Sequence, residues 1–448
     1  MPIDKMINKL IVEVNNLFQK EDIEATARDT LFVQRTSKIQ GHIFLTVLIF
    51  GMNIYKTPTL EQLVGLLHLV IPELEITRQG LHNRINENAV AFFEAMLGKA
   101  INISLPTSYD IDVLSKFNQI LILDSTAFQL PENLSHIFTG CGGSGSKAGI
   151  KIQFGYDLKT SKFFYVIHDG NIPDNNYKNS YIDAVQAGDL TIRDLGYFVI
   201  KTLHEINEKK AHYLSRLKLD TKVYQKNQNG ELVELDLVKY IKTMPVDIEE
   251  IEVYLRSDKL LIKTRLVIEK VPNEVRDQRL RKINRSNQKK GKTTSEKTKL
   301  LQSVSLFISN APSGLLLKEN FRKLYGIRWQ IELIFKNWKS NFSINQVTGI
   351  RECRVKCMIY VKLILIIINL RITFWIRNIV WIKSRREISE FRIAKQLLIY
   401  AKEWYRLILT EPMKVQNFLK DFVNFTIKHC IKIKQKNRFF PLEILEGI

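Results

Sequence analysis

The sequence predicts an α/β protein in which a mixed sheet is preceded and followed by all-helical regions. Three observations lead to this prediction. The apolar run 118–124 ends in an acid and has the continuous hydrophobicity of a buried strand. Strand-like and helix-like segments follow it as far as residue 218, which favours a mixed α/β sheet. Apolar residues at helical spacing fill the chain before residue 105 and again from residue 319.

The composition is that of a large folded protein with a strong excess of positive charge. The chain has 448 residues, of which 45% are hydrophobic, and a formal net charge of +21. Its length indicates about three domains. The charge favours a polyanion such as DNA or RNA over an acidic small molecule, with an anionic membrane surface as the alternative.

The cysteines and the apolar segments indicate a protein of a reducing cytoplasm. The four cysteines include no C-x-x-C pair, so neither a disulfide framework nor a zinc finger is expected. The first residues lack the order of a signal peptide. The most apolar segment, 358–382, is interrupted by Lys362, Arg371 and Arg377, so it predicts a buried core helix and no membrane span.

The first 105 residues predict an all-helical region. Asp4 can cap a first helix, Thr59 and Gln62 resemble a capping box, and another helix begins at Thr77 and runs through Met96. A helix, a short turn and a second helix with polar residues at its start are typical of a helix-turn-helix that contacts DNA. An ordinary helical hairpin is the alternative. The polar residues are Arg78, Gln79, Asn83 and Arg84.

Two aspartates are candidates for a site at the edge of the predicted sheet. Asp124 ends the first central strand, where its side chain can emerge into a cleft. Asp194 stands just before another apolar stretch, and Asp189 competes with it for the same role. Each of them, taken alone, is more often a turn residue than a metal ligand.

A β-rich segment follows and contains a dense basic stretch. Residues Asn229 and Gly230 are a hairpin signal. The stretch 276–299 holds ten Lys and Arg residues against two acids and predicts a mobile basic loop that tracks phosphates. A solvated linker is the alternative. The cations expected to contact DNA are Arg276, Arg279, Arg281, Lys282, Arg285, Lys289 and Lys290.

A predicted helix over 325–339 carries the most informative pattern. Four polar residues, Tyr325, Arg328, Glu332 and Lys339, fall within about 60° of one another on a helical wheel. A carboxylate among cations on one face suits a metal-dependent site that acts on a nucleic-acid backbone. A surface helix with ion pairs is the alternative.

With Asp124 and Asp194, this helix makes the chain resemble the DDE transposases of bacterial insertion sequences, in particular the insertion-sequence-four group. That family's signature is Tyr, two residues, Arg, three residues, Glu, six residues and Lys, and 325–339 matches it without a spacing error. Two departures stand out. Leu195 follows the second Asp where the family often has Arg, and the chain has no Trp between Asp194 and Arg328. A better-studied relative holds a flipped base with such a Trp. Tyr224, Tyr240 or Tyr254 are candidates to replace it.

The resemblance also implies a domain order around a ribonuclease-H-like core. The expected parts are a helical DNA-binding region at 1–105, the first part of the core at 106–218, a β-rich insertion at 219–312, the completion of the core at 313–382 and a helical region at 383–448.

The same resemblance implies the chemistry. Asp124, Asp194 and Glu332 would bind two divalent ions, Mg²⁺ or Mn²⁺, while Tyr325, Arg328 and Lys339 would contact DNA. The expected activity is cleavage at terminal inverted repeats and strand transfer into target DNA, through hairpin ends, by a homodimer in the nucleoid. No membrane and no small-molecule substrate are expected. A catalytically silent DNA-binding remnant and a structure-specific nuclease on the same core are the alternatives.

Overall fold

Contacts within the chain divide it into two compact units. The first contains Met1–Tyr109, Ser125–Ile172 and Ile331–Phe440, and the second contains Asp110–Asp124, Pro173–Gln330 and Pro441–Ile448. The computed structural model describes residues 19–35, 38–102, 115–143, 145–160, 162–176, 182–347, 351–410, 415–433 and 440–447, with the single residues 5, 8, 12 and 349. The helix that Asp4 was expected to cap lies outside the described residues.

The first unit begins with helices that pack around four phenylalanines. Phe32 stacks on Phe92 with ring centroids 5.0 Å apart, and Phe44 lies 5.8 Å from Phe93. The predicted capping box at Thr59 is confirmed, since its side chain accepts from the Gln62 amide. The helices are α1 (Lys20–Asp29), α2 (Gly41–Tyr55), α3 (Leu60–Val70), α4 (Arg78–Arg84) and α5 (Glu87–Asn102).

The prediction of a single helix from Thr77 to Met96 is wrong, because the helix is interrupted at residues 85 and 86, between α4 and α5. The connection between α3 and α4 covers 71–77 and is longer than the turn of about 3–4 residues in a helix-turn-helix. Arg84 is tied to the Ile39 carbonyl at 2.6 Å, and Arg78 pairs with Glu61. These contacts favour the helical hairpin.

Two strands and the end of a third complete the first unit together with long helices. The strands are β1 (Ile120–Gln129), which begins in the second unit, β2 (Gly149–Asp157) and β3 (Phe163–Asp169). β2 and β3 are antiparallel, and aromatic rings pack on β2. The ring centroids of Phe154 and Trp338 are 4.9 Å apart, and those of Tyr156 and Phe374 are 6.0 Å apart. The long helices are residues Trp329–Ser340, Glu352–Ser384, Glu390–Thr410 and Val415–His429.

The helix Glu352–Ser384 is the core helix that the apolar segment predicts. It is the one helix among the described residues that is long and apolar enough to cross a membrane, yet 83% of its most apolar window is buried in the protein. Its buried cations have partners. Lys362 donates to the carbonyls of Ser343 and Gln346, and Arg371 donates to the Ile101 carbonyl. Burial lowers the pKa of Lys362 to about 8.

The second unit is built on a mixed sheet. The first residues of β1 pair in parallel with β4 (Leu190–Arg193), which pairs in parallel with β5 (His212–Arg216). Beyond β5 the sheet is antiparallel. Its remaining strands, in spatial order, are β10 (Val304–Ser309), β9 (Leu260–Lys270), β8 (Ile248–Ser257), β6 (Val223–Lys226) and β7 (Leu232–Glu234). The predicted hairpin at Gly230 is therefore present between β6 and β7.

The helices of the second unit include most of the basic stretch. They are α6 (Ile200–Glu208), α7 (Leu237–Thr243), α8 (Asn273–Lys289), α9 (Glu296–Leu301) and α10 (Phe321–Gly326). The prediction of a mobile loop at 276–299 is wrong, because most of these residues form the helices α8 and α9. Hydrogen bonds from Arg279 hold this segment in place. Its guanidinium donates to the carbonyl of Val304 and to Ser305 Oγ on β10, which attaches α8 to the sheet.

In chain order, α10 is followed by α11 (Trp329–Ser340), α12 (Glu352–Ser384), α13 (Glu390–Thr410), α14 (Val415–His429) and α15 (Pro441–Glu446). Helical ends around a mixed sheet confirm the predicted α/β class. The domain boundaries drawn from the sequence stay a prediction.

A buried ion-pair network joins α12 to the segments around α13 and α14. Arg377 lies 3.0 Å from Glu387, with side-chain exposures of 5% and 0%, and Lys432 lies 2.8 Å from Glu390. Burial alone would raise the pKa of Glu390, but Lys432 and Arg377 outweigh burial and hold that pKa below its usual value.

We predict that Glu387→Ala lowers the free energy of unfolding by about 3–5 kcal/mol, because the buried Arg377 guanidinium loses its nearer carboxylate and keeps only Glu390, 3.6 Å away. Urea unfolding followed by circular dichroism measures the change. Glu296→Ala is the matched control, since its ion pair with Lys299 is exposed and such pairs contribute about 0–1 kcal/mol. Equal losses in both variants would contradict the prediction.

Candidate active site

Two aspartates lie side by side on neighbouring parallel strands of the second unit, where the pairing of the two strands ends. Asp194 directly follows β4, but the prediction that Asp124 ends its strand is wrong, because β1 continues to Gln129. β1 and β4 pair with Leu123 opposite Arg193, so Asp124 and Asp194 are the next residues along each strand. Residues that lie opposite each other on neighbouring strands point to the same face of the sheet. The pairing of β1 with β4 therefore brings together two acids that are far apart in the sequence.

Arg328 holds the two carboxylates. Its Nη1 donates to Asp124 Oδ2 at 3.1 Å, and its Nε lies 3.6 Å from Asp194 Oδ1. The side chains of Arg328 and Asp124 are only 14% and 17% exposed, whereas that of Asp194 is 40% exposed. A guanidinium shared by two carboxylates neutralises part of their mutual repulsion, which is strong in a partly buried site.

Arg328 reaches this position because the helix predicted over 325–339 is interrupted. α10 ends at Gly326 and α11 begins at Trp329, and the amide of Arg328 donates to the Tyr325 carbonyl in a tight turn. Tyr325 packs against Phe307 at 5.5 Å and lies beside Arg328. Burial, above all, raises the pKa of Tyr325 to about 12, so its hydroxyl stays protonated at neutral pH.

Asp189, the alternative to Asp194 as the second acid of the site, is buried and bonded within the protein. The residue is 0% exposed, and its Oδ2 accepts from the Gln186 amide at 2.8 Å. Asp194 also makes a local bond, because it accepts from the Gly196 amide at 3.3 Å, but it keeps much of its side chain exposed. The geometry therefore favours Asp194 over Asp189 as a group that can meet a ligand.

The other two signature residues belong to the first unit. Glu332 lies in the first turn of α11, and Lys339 lies near the end of the same helix. The Lys339 Nζ lies 3.3 Å from the Ala127 carbonyl of β1. Ile331, Ile334 and Trp338 form a buried stripe on the same helix. Convergence of Glu332 with the two aspartates stays a prediction.

Within the described part of the chain, no three His, Cys, Asp or Glu side chains are close enough together to hold a metal ion. The two aspartates nevertheless offer carboxylate oxygens, the ligand type that Mg²⁺ and Mn²⁺ prefer. A guanidinium already bridges them, so the pair is arranged to accept positive charge. The donor set thus fits a divalent ion at this edge of the sheet, with a third acid needed to complete it.

Comparison with known proteins decides the family. Residues 115–370 match the model of the transposase DDE domain. The transposase for insertion sequence element IS231F of Bacillus thuringiensis subsp. israelensis is 32% identical, over 88% of this chain and 85% of that protein. The transposase for IS231C of subsp. berliner is 34% identical over 83% and 80%, and that for IS1151 of Clostridium perfringens is 28% identical over 100% and 98%.

The chain belongs to the DDE transposase family. It is therefore an enzyme that acts on DNA, and the resemblance stated from the sequence is confirmed. The ribonuclease-H-like fold class predicted with it is confirmed as well.

For a DDE transposase, one further side chain near the aspartates was missed from the sequence. Continuing the pairing of Ile192 with Leu214 by two residues brings Asp194 opposite Arg216, the exposed last residue of β5. Trp329, which follows Arg328 directly, is 54% exposed, unusual for so large an apolar ring. Arg216 is the last residue of β5, and Asp194 directly follows β4; a polar residue at the end of a predicted strand is the signal that could have found Arg216.

The basic helix α8 of the transposase has one side that contacts the sheet and one side with exposed cations. Arg279 lies on the side that faces the sheet, and Arg276 pairs with the adjacent Asp277 at 3.1 Å. The exposed cations fall within about 100° of one another on the helical wheel, on an arc centred about 110° from Arg279. We call them the basic stripe: Arg281, Lys282, Arg285 and Lys289. Lys290 is also exposed, just beyond the end of α8.

We predict that Arg328 and Asp124 are energetically coupled. A double-mutant cycle with Arg328→Gln and Asp124→Asn, measured by urea unfolding, should give a coupling energy of about 0.5–3 kcal/mol. The reason is that each single change leaves one charge of the bridge without its partner. The same cycle with Asp189→Asn is the control and should be additive. Additivity in both cycles would contradict the bridge.

Proposed function

We propose that this protein is the transposase of a bacterial insertion sequence, which cleaves DNA at terminal inverted repeats and transfers the cut strands into target DNA. The observation that carries the proposal is the pair Asp124 and Asp194, which follow directly paired residues of adjacent strands and are bridged by the signature arginine, Arg328. Family membership over most of the chain supports it.

Asp124 and Asp194, with Glu332 as the third acid, are proposed to hold two divalent ions, Mg²⁺ or Mn²⁺. When bound, such ions supply Lewis-acid activation of the attacking oxygen and stabilise the leaving oxygen of an in-line displacement. The protein positions the DNA strand. Arg328, released from the carboxylates as metal binds, would contact a phosphate beside the scissile bond, since a guanidinium can bind two phosphate oxygens at once.

Other cations would hold the DNA around that bond. Lys339 and Arg216 are proposed to contact phosphates, and the Tyr325 hydroxyl, which burial keeps protonated, can donate to the end of a cut strand. The basic stripe would track the phosphates of the same duplex further from the cut. Arg279 is the exception among the cations predicted from the sequence, because it donates to groups within the protein.

Pairing of two element ends in one complex implies a homodimer on DNA. A hairpin intermediate would need an unpaired base to be held, and the exposed indole of Trp329 is a candidate to stack on it. The proposed place of action is the nucleoid in the bacterial cytoplasm, with no membrane and no small-molecule substrate.

The test of function is incubation of the protein with Mg²⁺, labelled terminal-repeat DNA and a target plasmid. The proposal expects cut ends followed by joined products. Cutting without joining would support the structure-specific nuclease, and binding without cutting would support the catalytically silent remnant.

We predict that Asp124→Asn, Asp194→Asn and Glu332→Gln each reduce cleavage by more than about 100-fold while leaving DNA affinity close to wild type. The reason is that the amides keep the shape of the site but weaken metal binding. Gel-based cleavage and fluorescence anisotropy measure the two effects. Asp189→Asn is the control that should still cut. If Asp189→Asn abolishes cleavage and Asp194→Asn does not, the second ligand is assigned wrongly.

We also predict that changing Arg281, Arg285 and Lys289 to Gln weakens binding to any duplex. The dependence of log affinity on log salt should become shallower by about 0.9 for each phosphate that the protein no longer neutralises. Titrations at several salt concentrations measure this slope. The matched control changes three exposed helical lysines outside the stripe, Lys201, Lys239 and Lys242. An unchanged slope in the stripe variant, or an equal change in the control, would exclude the basic stripe as a DNA-binding surface.

A further inference from the structure

A short connection leads from β10 into the helix α10, which carries Tyr325 and precedes Arg328. Its backbone groups need partners, because Ala311 and Leu316 are 0% and 1% exposed and buried carbonyls are rarely left unpaired. Both of their carbonyls accept from a single atom, Nη1 of Arg265, at 2.6 and 2.9 Å. Arg265 belongs to β9, so a strand of the β-rich segment holds this connection in place.

The rest of the Arg265 guanidinium is engaged as well. Its Nε and Nη2 donate to the two carboxylate oxygens of Glu250 on β8, at 2.7 and 2.6 Å. The guanidinium carbon lies 5.1 Å from the centroid of the Phe321 ring, at the first residue of α10. Glu252, which is directly opposite Arg265 on β8, pairs with Lys263. Arg265 therefore joins β8, the connection and the start of α10, and a lysine ammonium cannot reproduce the planar fork with which it does so.

The helix α10 depends on β9 for its position. It has six residues, and isolated helices shorter than about 12–15 residues are marginal in water. Arg322, the second residue of α10, lies 2.6 Å from Glu269, which follows Arg265 by four residues and so shares its face of the strand. Two contacts from one strand therefore fix the helix that ends just before the tight turn at Arg328.

We propose that Arg265 is a positioning residue for Arg328. By holding the connection and the start of α10, it sets where the tight turn begins and hence where the Arg328 guanidinium meets Asp124 and Asp194. All of these groups belong to the second unit. Arg265 acts through Arg328 and is not itself proposed to touch DNA.

That this position matters for strand cleavage rests on the proposed function. The position itself is a property of the fold. The strength of the bridge between Arg328 and Asp124 reports it, and this strength can be measured without DNA or metal.

The first experiment repeats the double-mutant cycle of Arg328→Gln and Asp124→Asn, by urea unfolding, in protein that carries Arg265→Lys. This substitution keeps the charge but loses the fork, so most of the coupling between Arg328 and Asp124 should be lost. A residue that only stabilises the unit would lower the free energy of unfolding of all variants alike and leave the coupling unchanged. Lys263→Gln, two residues earlier on β9, is the matched control and should preserve the coupling, because its ion pair with Glu252 is exposed.

The second experiment compares cleavage of terminal-repeat DNA with affinity for it. Arg265→Lys should slow cleavage at saturating DNA by roughly 10–100-fold, because misplacing a group of the site by about 1 Å can cost about 100-fold. Its affinity for the DNA should stay close to wild type, whereas a partly unfolded protein would lose cleavage and binding together. Lys263→Gln should cut like wild type.

Thermal unfolding checks that Arg265→Lys is folded. If it is not, Glu250→Gln takes its place in both experiments, because it weakens the fork and keeps Arg265. An unchanged coupling, or cleavage at the wild-type rate, would overturn the inference. If wild type itself does not cut, the proposed function fails, and the comparison of couplings still decides the role of Arg265.

Discussion

The candidate site depends on positive charge between two carboxylates. Asp124 and Asp194 follow directly paired residues of adjacent strands, so the backbone brings them together whatever their charge. Two like charges about 4 Å apart near a protein surface repel by about 4 kcal/mol, which is a large part of the stability of a typical domain. Arg328 removes most of this penalty by contacting both groups. In the proposed mechanism, a metal ion takes the place of this guanidinium.

This bridge explains why the signature helix is interrupted. A continuous helix would carry Arg328 on the face shared with Tyr325, in line with the rest of the signature. The chain instead turns tightly after Gly326, and Leu324 and Ile327, 0% and 1% exposed, anchor that turn on either side. A turn anchored by two buried side chains fixes where the guanidinium points. The spacing of the signature residues therefore sets the position of the Arg328 guanidinium and does not require a continuous helix.

The sequence predicted the parts of the site that local patterns encode. A buried strand that ends in an acid identified Asp124, and side-chain spacing identified Arg328 and Glu332. The turn between α10 and α11 could not be predicted, because it depends on a contact with Asp124, which is remote in the chain. The helical structure of the basic segment was missed for a similar reason. Its dense charge is equally typical of a solvated loop, and the bonds from Arg279 to β10 that hold α8 in place are tertiary.

The excess of positive charge also divides into two classes that composition cannot separate. Arg371 and Arg377 are 2% and 5% exposed, and Lys362 is 1% exposed, so they belong to the core. Each donates to a carbonyl or a carboxylate, which is how an apolar helix tolerates cations within a protein. Only cations that solvent reaches can release counterions from DNA. The net charge of +21 therefore includes cations that serve the fold, and only exposed groups such as the basic stripe are available to a polyanion.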